Sequence, residues 1–110
     1  MIFGIGTDIV EIDRIAKVIA RHGERFTEYI LTESEIAEAA RRGDRISYIA
    51  GRWAAKESVA KSLGCGLGAR CAWRDIEIVP DENGAPTVHL SGAGLQTMKS
   101  NGIARIFISI

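Results

Sequence analysis

Cysteine is nearly absent. Cys65 and Cys71 are the only two in 110 residues, and neither forms a Cys-x-x-Cys pair or stands near a histidine cluster. That excludes a zinc ribbon or a cysteine–histidine dyad, and the short segment between them disfavours a disulfide, so free thiols in a reducing compartment are expected. A surplus of charge is also lacking. Fourteen basic residues balance fourteen acidic ones, which argues against a general nucleic-acid binder and restricts electrostatic recognition to local patches. No apolar run approaches a membrane-spanning length, and the N-terminal "MIFGIGTDIVEI" has neither the basic start nor the long apolar core of a signal peptide. The reading is a cytoplasmic protein with no membrane contact. No repeat, low-complexity tract or linker interrupts the chain, so residues 1–110 are expected to form one small domain whose limited core makes oligomerisation a natural supplement.

What is present reads as alternating punctuation and periodicity. "MIFGIGTDIV" predicts a strand, with Phe3, Ile5, Thr7 and Ile9 on one face and Ile2, Gly4, Gly6 and Asp8 on the other. Two glycines beside an aspartate leave open space there. They mark either close approach by a ligand or another backbone, or a bulge and turn capped by Asp8. "EIDRIAKVIARHG" predicts an amphipathic helix ending near Gly23, with Ile12, Ile15, Ala16 and Ile19 on its apolar side. Arg14, Lys17 and Arg21 fall in an arc of about 60° opposite, counting about 100° per residue. Such a trio is a solvated helix face or a docking stripe for an acidic partner.

"RFTEYIL" is a short helical or irregular connector, and "TESEIAEAARRG" predicts a helix opened by a Thr32–Glu35 capping box. "RISYIAGRWAAKESVAKSLG" predicts the longest helix, stopping at Gly64. "DIEIVPDENGAPTVHL" is a hairpin turning at Asn83-Gly84, "SGAGLQTMKSNG" a short helix, and "IARIFISI" a closing strand with Ile106, Ile108 and Ile110 on one face. His89 stands alone in its strand, so a packed or surface role is expected for it. The order β-α-α-α-β-β-α-β indicates an α+β domain with a mainly antiparallel sheet.

One residue violates the pattern. On the longest helix Ile46, Ile49, Ala50, Trp53 and Ala60 share an arc of about 100°, and Glu57 falls near its middle. The bland explanation is an i,i+4 surface pair with Lys61, worth about 0.2–0.5 kcal/mol. Otherwise a carboxylate on an apolar face needs a partner or a metal. Asp8 and Glu57 are thus two carboxylates in unusual settings. Two carboxylates with few other ligands suit magnesium, which keeps waters and shares itself with substrate phosphates, while Lys61 could neutralise phosphate charge. The glycine-rich "GCGLG" lacks the Gly-Lys-Ser/Thr ending of a phosphate-binding P-loop and follows a helix, so alone it signals little more than helix termination.

"GIGTDIVEIDRI" and "AGRWAAKESVAKSLGCGLG" together resemble the two signature segments of the holo-(acyl-carrier-protein) synthases, the small trimeric class of 4′-phosphopantetheinyl transferases. "RFTEYILTESE" and "DIEIVPDENGAPTVHLSG" resemble the segments between and after them, so the similarity runs nearly the whole chain in order. The resemblance implies helices packed on a curved antiparallel sheet, three subunits around an axis, and active sites at subunit interfaces. It implies transfer of the phosphopantetheine arm of coenzyme A to a serine of apo-acyl carrier protein, releasing adenosine 3′,5′-bisphosphate and making the holo carrier for fatty acid biosynthesis.

Carried over by position, Asp8 and Glu57 would hold magnesium against the pyrophosphate of coenzyme A. Lys61 would offset developing phosphate charge. Arg52, Lys61 and the loop glycines Gly64, Gly66 and Gly68 would contact the donor. Glu57, directly or through a metal-bound water, is the expected base for the carrier's serine. Arg14, Lys17 and Arg21 would dock the acidic carrier, with Lys17 resting on the helical arc alone. Two rival readings stand beside this one: a silent scaffold that keeps the fold, and a magnesium-dependent phosphotransferase using a nucleoside triphosphate. The family's sequences continue past a segment like "IFISI" into one more strand, so the chain is expected to be a form shortened by roughly ten or more residues.

Overall fold

The computed structural model describes residues 1–110. Five helices and one hairpin follow in order: α1 (Ile12–His22), α2 (Glu24–Ile30), α3 (Glu33–Arg41), α4 (Arg45–Ser62), β1 (Ile76–Pro80), β2 (Pro86–Leu90) and α5 (Gly92–Ser100), with a 3-10 turn at Trp73–Asp75. The two strands pair antiparallel with Ile76 opposite Leu90 and Pro80 opposite Pro86. Asp81 shapes the turn between them by accepting from the amides of Asn83 and Ala85, and Gly84 supplies the positive φ of 83°.

α4 is the spine, because it contributes to both hydrophobic clusters. Its first half gives Tyr48, Ile49 and Ala50 to a cluster with Ile15, Ile30 and Ala39 from the other helices and Leu31 just past α2. Its second half gives Ala55, Val59 and Ala60 to a cluster with Leu63, Cys71, Ile76 and Ile78. Full burial of an isoleucine or leucine such as Ile30, Leu31 or Ile49 contributes about 1.5–3 kcal/mol. The capping box of α3 forms as expected: the Glu35 amide donates to Thr32 Oγ1, and Glu35 Oε1 accepts from the Thr32 amide at 2.9 Å. Both cysteines are free thiols, with Cys71 buried and its pKa pushed up to about 11 by that burial.

Three sequence expectations need correction. The two terminal segments belong to no hydrogen-bonded ladder. A ladder needs a neighbouring backbone at about 4.8 Å. Residues 1–6 and 102–109 instead both line one open groove of about 550 Å³, together with Ser58, Val59, Ser62 and Leu63. Their two-faced alternation is nonetheless real: Gly6, Asp8 and Val10 are half-buried, whereas Ile5, Thr7 and Ile9 are exposed.

Secondly, Ile12 does not join the core of α1. It is 49% exposed, and Ile15 alone on that helix is buried. The third correction concerns α4. Its buried residues Tyr48, Ile49, Ala50, Ala55, Lys56, Val59 and Ala60, with Leu63 just beyond its end, form a broad arc centred near Lys56 and bounded on one side by Ala50. Glu57 therefore sits at the edge of the buried face and is half-exposed. Alanines on several sides of α4 and Gly51 blurred the periodicity, and the real centre is occupied by a lysine, which an apolar count passes over.

Candidate active site on helix α4

The N-terminal segment reaches α4 through its glycines. A Cβ on Gly6 would lie 1.9 Å from the Ser58 carbonyl oxygen, and one on Gly4 would lie 2.3 Å from that of Ser62. No side chain fits in that space. The absence of Cβ atoms lets the segment lie directly on the backbone of α4, as the close-approach reading anticipated, and so delivers Asp8 to the helix surface.

There Asp8 meets Lys61, whose Nζ donates to Asp8 Oδ1 at 2.9 Å and to the Thr7 carbonyl at 3.2 Å. Asp8 Oδ2 is buried and receives no hydrogen bond. Glu57 stands one turn before Lys61. Its carboxyl is pushed above the usual range, first by burial and then by the nearby charge of Asp8, with Lys61 opposing both. Two carboxylates thus repel one another around one ammonium, and one oxygen remains unpaired. A buried acceptor without a donor costs about 1–3 kcal/mol, so this cluster favours an added cation. Asp8 also borders a small cavity of about 260 Å³ shared with Gly51, Ala54 and Ser58.

Arg52 is elsewhere. It lies about 140° around α4 from Glu57, stacked over Tyr48 with its guanidinium carbon 4.6 Å from the ring centroid. Its Nε is buried and unpartnered, and it forms no salt bridge. The loop after α4 is turned by positive φ at Gly64 (86°) and Gly66 (69°). Its glycine amides are already engaged: Gly64 donates to Lys61, Gly66 to Ala60 and Gly68 to Cys71. The amides of Leu67, Ala69 and Arg70 donate to no protein acceptor. A phosphate meeting this loop would find those three, a distinction invisible in the glycine spacing. Arg14, Lys17 and Arg21 are all exposed on α1 and free of ionic partners.

Sequence reasoning missed the most deeply buried charges. Lys56 is 0% exposed, and its Nζ donates to Glu35 Oε1 at 2.6 Å, to the Ile30 carbonyl at 2.7 Å and to the Trp73 carbonyl at 3.2 Å. Glu35 completes its own set by accepting from the Ile78 amide at Oε2, 2.9 Å away. Burial pushes the Lys56 ammonium down, and Glu35 resists that shift. The available signal was the capping glutamate, whose carboxylate proves to serve three elements instead of one.

Residues 4–104 match the 4′-phosphopantetheinyl transferase superfamily. A holo-[acyl-carrier-protein] synthase of Shewanella amazonensis is 48% identical over 109 residues, covering 99% of this chain and 87% of the relative. Among solved structures, the holo-[acyl-carrier-protein] synthase of Neisseria meningitidis superposes with a TM-score of 0.90 at 38% identity, over 96% of this chain and 84% of that one. The Helicobacter pylori holo-[acyl-carrier-protein] synthase, solved in complex with coenzyme A, superposes with a TM-score of 0.79 at 36% identity, over 92% of this chain and 83% of that one.

Proposed function

Because the chain belongs to the 4′-phosphopantetheinyl transferase superfamily, we propose that it acts as a holo-[acyl-carrier-protein] synthase with Asp8, Glu57 and Lys61 at its reacting centre. The donor is coenzyme A and the acceptor a serine of apo-acyl carrier protein. The serine oxygen attacks the phosphorus that carries the pantetheine arm. The bond from that phosphorus to the adenosine bisphosphate phosphate breaks, and the serine proton leaves to a base. Adenosine 3′,5′-bisphosphate departs with the bonding pair.

The observation that carries this reading is the unsatisfied cluster: buried Asp8 Oδ2 without a donor, beside a Glu57 whose protonation is favoured first by burial and then by that same carboxylate. Magnesium fits the cluster. Asp8 Oδ2 is an unsatisfied carboxylate oxygen, and magnesium characteristically takes one or two carboxylates and leaves the rest to water and phosphate. When bound, the ion supplies charge neutralisation for the pyrophosphate. Asp8 and Glu57 would hold it, and Lys61 would place its ammonium against the phosphate that gathers charge. The raised Glu57 carboxyl is a stronger base than an ordinary glutamate and suits acceptance of the serine proton.

Arg52, the loop from Gly64 to Gly68 and Arg70 just beyond it would hold the nucleotide end of the donor. Arg52 and Glu57 face different sides of α4, which favours a site completed by a second copy of the chain. Ile9 and Phe107, 92% and 84% exposed, are apolar surfaces suited to burial between copies, in keeping with a homotrimer. The exposed, unpaired Arg14, Lys17 and Arg21 suit an acidic carrier.

Incubation with coenzyme A, magnesium and apo-acyl carrier protein, followed by weighing the carrier, tests the reading. The expected result is a carrier heavier by one phosphopantetheine, with adenosine 3′,5′-bisphosphate released. An unchanged carrier mass, or a dependence on a nucleoside triphosphate in place of coenzyme A, would overturn it.

A further inference from the structure

We propose that Lys56, held by Glu35, is a positioning residue that sets the spacing between the glycine-rich loop and Glu57. The inference rests on the donor-binding reading above. The loop leaves α4 at Gly64 and returns to the fold at the 3-10 turn Trp73–Asp75. Its near end is fixed by continuity with the helix, and its far end is fixed by the bond from Lys56 Nζ to the Trp73 carbonyl. Both ends are therefore referenced to α4, and the far anchor is the residue immediately before Glu57. The Trp73 ring packs on Trp53 of the same helix at 5.7 Å between centroids, which reinforces that anchor. Glu35 extends the frame: through Thr32, Lys56 and Ile78 it ties the start of α3 and the strand β1 to the same ammonium. Every polar atom of the carboxylate and its lysine is engaged, so the frame has one arrangement. The loop's unengaged amides and the acidic cluster are thereby held at one separation, which fixes where the donor's phosphates can sit.

Donor binding and carrier docking are thereby separable, because Arg14, Lys17 and Arg21 form no hydrogen bond or salt bridge with this pair. A purely structural pair would instead affect both substrates alike, through stability. The test is the double variant E35Q/K56M, which removes both charges and leaves no unpaired charge buried. Calorimetry with coenzyme A should show affinity reduced on the order of tenfold or more, the cost of a small misplacement at a phosphate site. The KM for the carrier should be unchanged, and the near-ultraviolet dichroism of the Trp53–Trp73 pair should alter. E35D, which keeps both charges but shortens the carboxylate arm, should weaken coenzyme A binding less and in the same direction. A folded E35Q/K56M with wild-type affinity for coenzyme A would overturn the proposal, as would equal losses toward donor and carrier. If the double variant does not fold, wild-type donor affinity in E35D overturns it. A wild-type chain that binds no coenzyme A defeats the functional reading and this inference with it.

Discussion

Lys56 and Glu57 are neighbours in the chain with opposite fates. Lys56 is wholly enclosed, and each of its bonds ends on a matched acceptor. Glu57 is half-open and lies beside a carboxylate oxygen with no donor at all. One helix therefore carries a saturated ionic site and an unsaturated one, a single residue apart. Saturation marks architecture: removing either partner strands a buried charge, whereas a ligand has nothing to add. The unsaturated site marks chemistry, since the fold tolerates mutual repulsion there that an added cation and phosphate would relieve.

The largest effect is expected at the saturated site. Lys56→Met alone leaves Glu35 buried and unpaired, which should cost about 3–5 kcal/mol. For a domain of this size each kcal/mol lowers Tm by about 4–8 °C, so thermal unfolding should show a large drop. An unchanged midpoint would show that the pair is dispensable. At the unsaturated site the loss should fall on activity instead. Asp8→Asn and Glu57→Gln should each remove several kcal/mol of transition-state stabilisation while circular dichroism stays native. Wild-type rates at limiting magnesium in either variant would refute the metal assignment.

Smaller changes sharpen the contrast. Gly6→Ala should displace Asp8, because its Cβ would overlap the Ser58 carbonyl, and should cost about 1–3 kcal/mol as an overpacking change. Its activity should fall toward that of Asp8→Asn, and intact activity would show that Asp8 is not placed by this contact. The double reversal R14E/R21E should raise the KM for the carrier at low salt and leave coenzyme A affinity alone. The wild-type preference should fade as salt rises, since exposed charges are screened over about 8–10 Å. A carrier KM unaffected by the double reversal would remove α1 as the docking surface.

Much of this was legible in the sequence because it is local. The Thr32–Glu35 cap, the Asn83-Gly84 hairpin, and the run of helices up to Gly64 follow from short-range hydrogen bonding and periodicity. The pairing of Asp8 with Lys61 was anticipated only as a shared site, since residues so far apart in sequence meet through the bare backbone at Gly4 and Gly6. Two features were hidden. The buried face of α4 centres on a charged residue, so counting apolar positions pointed to Glu57 and missed Lys56. The engagement of the Gly64, Gly66 and Gly68 amides depends on how the chain closes after the helix, and spacing alone says nothing of it. The terminal segments alternate like strands, yet alternation cannot supply a neighbouring backbone.

The raised Glu57 carboxyl gives the most direct measurement. A carboxyl whose pKa is higher folded than unfolded contributes stability below its unfolded value, and that contribution is lost as pH rises through the folded value. At neutral pH without a divalent cation, ionised Glu57 therefore weakens the fold, and Glu57→Gln should melt at or above the wild-type temperature. Adding magnesium and coenzyme A should raise the wild-type midpoint and leave that of Glu57→Gln nearly still. Thermal melts of the two proteins at neutral pH should therefore show a reversal of order. A Glu57→Gln midpoint several degrees below wild type without the cation, or an equal rise in both proteins with it, would contradict the claim that this site is unsaturated until its ligands arrive.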